Sequence, residues 1–183
     1  MDKKTRKTKL INYCMCAIFA AVTAVCSWIA LPFTVPFTLQ TFSVFLCLLL
    51  LGGRYGLISI VLYVALGAVG LPVFAGFNSG FSALSGPTGG YIWGFIASAG
   101  AYWLITKIFG EGNKVRIAAC ACGLLLCYLL GTLWFAYGYA GGGSKSFLAV
   151  LALCVLPYII PDILKIAAAF ALSARLSKLI YKN

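Results

Sequence analysis

Six apolar runs, each set off by a short polar or glycine- and proline-containing connection, constrain this chain more than any other feature. They cover Tyr13 to Leu31, Thr41 to Gly53, Gly56 to Phe74, Tyr91 to Phe109, Ile117 to Tyr137 and Tyr158 to Lys178. A helix of about 20 apolar residues crosses the hydrocarbon of a bilayer, and lipid leaves the backbone no other partner than itself. The expectation is an all-α polytopic membrane protein, a bundle of six transmembrane helices forming a single domain over residues 1–183. With 63% hydrophobic and 9% charged residues in 183, no polar block is long enough for a separate soluble domain. An ATPase or enzymatic partner would then be another chain.

The formal charge of +11 does not point to nucleic acid, because the basic residues are distributed by topology. Lys3, Lys4, Arg6, Lys7 and Lys9 precede the first run, in a basic segment 1–11 suited to anionic lipid. Arg54, Lys107, Lys114, Arg116, Arg175, Lys178 and Lys182 fall on the same side if the spans alternate, whereas the other side collects only Lys145. Both termini are therefore expected in the cytoplasm. The first run is long enough to span and is followed by others, so it reads as a retained helix and not a cleaved signal peptide. The eight cysteines form no CxxC pair and the chain has no histidine, so neither metal nor disulfide framework is implied.

The outer connections, about 32–40, 75–90 and 138–157, are the unusual ones. "LPFTVPFTLQ" breaks helix at Pro32 and Pro36 and ends in Gln40. "FNSGFSALSGPTGGY" carries Phe77, Asn78 and Tyr91 among glycine turns. Irregular backbone at membrane depth needs protein or a cavity beside it, so both loops read as walls of a site. Phe147 to Leu156 is set apart as a separate outer segment, and the last helix starts near Pro157 to Pro161. Asp162 then falls in its first turns, at the positive end of the helix dipole.

Asp162 is the only carboxylate after Glu111, and Lys165 shares its helix face three residues on. Ionisable groups within spans are costly and face a cavity or a partner. A mutually neutralised structural pair is one reading; a polar ligand is the other. Phe33, Phe37, Phe74, Phe77, Trp93 and Tyr158 could supply apolar area, and Gln40, Asn78, Tyr91, Asp162 and Lys165 hydrogen bonds. Catalytic residues are not expected, since no histidine or second carboxylate is at hand and only Lys165 could serve as a base.

Four stretches, "VPFTLQTF", "GLPVFAG", "GPTGGYIWGF" and "PDILK", in this order, resemble the BioY family. That family comprises the biotin-binding S-components of energy-coupling factor (ECF) transporters. The resemblance implies six helices, capture of biotin at the extracellular side, no cofactor, and partnership with a coupling transmembrane protein and two ABC-type ATPases in the plasma membrane of a bacterial cell. It assigns substrate binding to Asp162, Lys165, Asn78, Tyr91 and Gln40, to which Phe77 of the same loop is added as an apolar contact. A small-residue pattern on the first helix implies partner docking through Ala17 and Ala21 or, in a second register, Ala20 and Ala24. Relatives carry a "PFIPGDLLK"-like stretch where this chain has Tyr158 and Pro161, which implies an altered entry angle of the last helix. A stand-alone secondary carrier coupled to protons through Asp162, and a lipid-directed membrane enzyme using Lys165 as base, remain as alternatives.

Overall fold

The computed structural model describes residues 3–31, 36–138 and 146–180, with backbone alone for 3–8. Phe33, Lys145 and Lys182 lie outside the described residues. Among the described residues the chain is all-α apart from one two-stranded turn. Helix α1 (Lys3–Trp28) leads to β1 (Ala30–Leu31), which pairs antiparallel with β2 (Phe37–Thr38) and delivers the chain into α2 (Gln40–Ala68). A 3-10 turn (Ala75–Phe77), α3 (Gly80–Ser85), α4 (Gly89–Phe109), α5 (Asn113–Leu133), a π turn (Trp134–Gly138), α6 (Phe147–Cys154) and α7 (Leu156–Ile180) follow.

Although continuous in hydrogen bonding, α2 is a hairpin. Gly52 has φ 76° and ψ 172°, a left-handed conformation that glycine adopts freely. Gln40 reaches the hydroxyl of Tyr63 at 2.7 Å, whereas 23 residues of straight helix would separate them by about 35 Å. The two limbs, residues 40–51 and 53–68, therefore run antiparallel, and the first of them forms the centre of the protein. Val44, Cys47 and Leu48 on it are fully buried and share a core with Ala99, Tyr102, Cys120 and Ala169 from three other helices. Its last turn is capped from α5, where Arg116 donates to the Leu49 carbonyl.

By length and composition, four helices among the described residues are able to cross a membrane, or five if α6 and α7 form one broken span; α2 enters that tally once. The outer surface agrees, because Leu104, Ile108, Leu125, Ile160, Ile163 and Leu164 all stand more than half exposed. An aqueous surface does not sustain such a belt.

Several boundaries differ from the sequence expectations. Helix α1 begins at Lys3 instead of Tyr13, since Lys and Arg are good helix formers and nothing before Tyr13 breaks the pattern. The run drawn to Phe74 stops at Ala68, where Gly70 with φ 105° and then Pro72 end it. Phe147–Cys154 is a separate segment as expected, bent 46° from α7 at Val155. Helix α7 starts at Leu156 and runs through Pro161, which places Asp162 in the second turn. The dipole argument loses its force there, because the effect fades beyond the first turn.

Candidate functional site

One end of the bundle holds a cavity of about 500 Å³, within the range of small-molecule sites. Its wall is assembled from β2 and the start of α2, the 74–78 loop, α3, the first turns of α4, the middle of α5, the end of α6 and the second turn of α7. Pro36 before β2 and Gly76, with φ 68°, in the 74–78 loop keep these stretches out of regular helix and so leave room between the spans. The described basic residues Arg54, Lys107, Arg116 and Lys178 belong to the opposite end. From Asp162 to Lys178 along α7 is about 24 Å, and from Gly89 to Lys107 along α4 about 27 Å, at 1.5 Å per residue.

Asp162 and Lys165 lie in this wall, 4% and 9% exposed, and pair at 2.8 Å. Each is further held. Tyr128 of α5 donates to Asp162 Oδ2 at 2.7 Å. Lys165 Nζ donates to the Thr38 carbonyl at 2.8 Å and stands 3.8 Å from the centroid of the Phe37 ring, so the ammonium ties β2 to α7. A buried charge is tolerated only when it is paired and hydrogen-bonded, and both of these are. Lys165 is paired with Asp162 and also lines the cavity.

Gln40 is buried in the same wall. Its amide donates to Tyr63, whose hydroxyl donates to the Val73 carbonyl at 3.0 Å; Ser27 of α1 donates to that carbonyl too, at 2.6 Å. Tyr91 is also buried and lines the cavity, and its hydroxyl lies beside that of Thr132, neither making a well-formed hydrogen bond among the described residues. A buried hydroxyl of that kind marks a place for a ligand atom or water. The ring fits because residue 131 is glycine: a Cβ there would meet Tyr91 ring carbons at 2.2 Å. Asn78 lines the mouth, exposed, with Nδ2 donating to the Ala75 carbonyl at 2.7 Å.

Phe77 requires a correction, since the structure does not bring it to the cavity. Its backbone has φ 60°, and its ring stacks on Trp28 of α1 at 5.0 Å, 61% exposed. With Trp28 Nε1 donating to the Pro72 carbonyl at 2.8 Å, this contact pins the 72–77 loop to α1. Trp93 likewise faces outward, 41% exposed, whereas Phe74 and Tyr158 do line the wall. The two alanine registers separate as well. Ala20 and Ala24 are buried against Tyr63 and Val64, inside the protein, and only Ala17 and Ala21 face out. Ala20 and Ala24 are therefore packing residues, unsuited to docking a partner.

Tyr128 is a site residue that the sequence reading misses. Its signal is that a tyrosine in an apolar span must find an acceptor, and Asp162 is the only carboxylate that the final helix offers. Among the described residues no group of three or more His, Cys, Asp or Glu could hold a metal.

The model of the BioY family matches residues 1–182. The probable biotin transporter BioY of Pyrococcus horikoshii is 44% identical over 162 residues, 87% of this chain and 92% of that protein. The biotin transporter BioY of Thermotoga maritima is 39% identical over 163 residues, 88% of this chain and 93% of that protein. A crystal structure of the S-component for biotin from an ECF-type ABC transporter has the same fold, with a TM-score of 0.82 at 24% identity, covering 97% of this chain and 95% of that one.

Proposed function

The chain belongs to the BioY family, and on that premise we propose that it is the biotin-binding subunit of an ECF-type importer. The observation that carries the reading is the buried Asp162–Lys165 pair in the wall of a ligand-sized cavity. Biotin offers two ureido N–H donors, an apolar bicyclic body and a carboxylate. Asp162 accepts from a ureido N–H, the Tyr91 hydroxyl and Asn78 bond the remaining polar atoms, and Phe74 and Tyr158 cover the rings. Gln40 holds the wall through Tyr63. No residue of the site is asked to do covalent chemistry.

Capture from outside is supported by the position of the cavity at the end of the bundle away from the basic residues, since basic connections stay in the cytoplasm. The same asymmetry, with the α2 hairpin counted as two spans, supports six transmembrane helices in one domain of a plasma membrane, with both termini inside. The outward alanines Ala17 and Ala21 give α1 a face for close helix approach by a coupling transmembrane protein, which in turn would work with two ABC-type ATPases. Energy would come from those ATPases.

Uptake into vesicles separates this reading from a stand-alone carrier. The chain reconstituted with a coupling protein and its ATPases is expected to accumulate biotin only with ATP inside the ATPase-facing compartment. Accumulation by the chain alone, abolished when the proton gradient is collapsed, would establish the stand-alone carrier instead.

A further inference from the structure

We infer that Tyr128 is a positioning residue for the ligand-binding carboxylate: donating to Asp162 Oδ2 while Lys165 holds Oδ1, it fixes which acceptor sites Asp162 presents to the cavity. An ionised carboxylate has about four lone-pair sites, two on each oxygen. The protein supplies one donor to each oxygen among the described hydrogen bonds, at 2.7 and 2.8 Å. Asp162 is 4% exposed and lines the cavity, so a ligand there can reach its remaining sites.

The two donors are not equivalent. Lys165 stands three residues along the same helix and is itself held by the Thr38 carbonyl of β2. Tyr128 comes from α5, 34 residues away in sequence, and is itself part of the cavity wall. Among the described hydrogen bonds it is the one that joins the carboxylate directly to another helix. Without its hydroxyl the carboxylate would be held at one oxygen and free to turn about its bond to Cβ, and a ligand N–H would meet a less defined acceptor. Leu124 and Cys127, which flank Tyr128 on α5 and also line the cavity, offer no comparable donor. The binding arm of this inference rests on the biotin reading above.

The test is Tyr128→Phe, which keeps the ring and removes the O–H. Biotin affinity measured by titration is expected to fall about tenfold, because the acceptor is no longer held in the orientation that the ligand N–H meets. In an Asp162→Asn background the same change is expected to cost less than twofold, because there is no longer a carboxylate to orient. The chain has three side-chain carboxylates, so infrared difference spectra against Asp162→Asn isolate the Asp162 stretch. That band is expected to shift in Tyr128→Phe without ligand. An unmoved band overturns the inference. So does an equal loss of affinity in both backgrounds, which would make Tyr128 a direct ligand contact, or unchanged affinity in a Tyr128→Phe protein whose parent binds biotin. If the parent does not bind biotin, the functional reading fails and the band alone decides the role of Tyr128. Should Tyr128→Phe not purify, the tyrosine C–O stretch is compared between the parent and Asp162→Asn: a shift supports the inference and an unmoved stretch overturns it.

Discussion

Replacing Asp162 by Ala is expected to weaken biotin binding by one to two orders of magnitude, about 1.5–3 kcal/mol for a lost hydrogen bond to a charged group. Two losses combine. The ligand loses a charged acceptor, and Lys165, 9% exposed, is left with its charge matched only by the Thr38 carbonyl and the Phe37 ring. Asp162→Asn keeps the shape and part of the acceptor capacity, so it is expected to fall between the parent and Asp162→Ala. Titration of the purified variants with biotin reads the order directly. Equal affinity in all three proteins would remove Asp162 from the site.

Lys165→Met is expected to lower stability more than the double variant Asp162→Asn/Lys165→Met does. The single change leaves a carboxylate that is 4% exposed with Tyr128 as its remaining donor and severs the tie from α7 to β2. Breaking a buried pair from one side costs about 3–5 kcal/mol, whereas replacing both partners can be nearly neutral. Because the pair interacts, the two changes are non-additive. Thermal unfolding in detergent measures the ranking. A double variant less stable than Lys165→Met would mean that the two residues act independently and that the 2.8 Å contact contributes little.

How much of this is legible in the sequence depends on whether local chemistry or long-range packing decides the point. Spacing puts Asp162 and Lys165 on one face, and prolines and glycines mark the irregular segments around the cavity. The break between α6 and α7 is equally local, as is the division of α2 near Gly52. Other features depend on partners distant in the chain. Ala17 and Ala20 have the same chemistry, and only the position of Tyr63, on the second limb of α2, decides which register is buried. Phe77 sits in a non-periodic loop, so no pattern tells that its ring turns to Trp28. Tyr128 meets Asp162 across 34 residues. The start of α7 is local too, since the prolines mark it to within a few residues of Leu156, but Asp162 lands in the second turn, beyond the reach of the dipole.

The most direct measurement is calorimetric titration of the detergent-purified chain with biotin, desthiobiotin and thiamine. A pocket built around one carboxylate acceptor and apolar walls is expected to give saturable one-to-one binding of biotin, weaker binding of desthiobiotin, which keeps the ureido ring and loses the sulfur bridge, and no binding of cationic thiamine. Absence of saturable biotin binding by a folded chain, or thiamine bound as well as biotin, would contradict it.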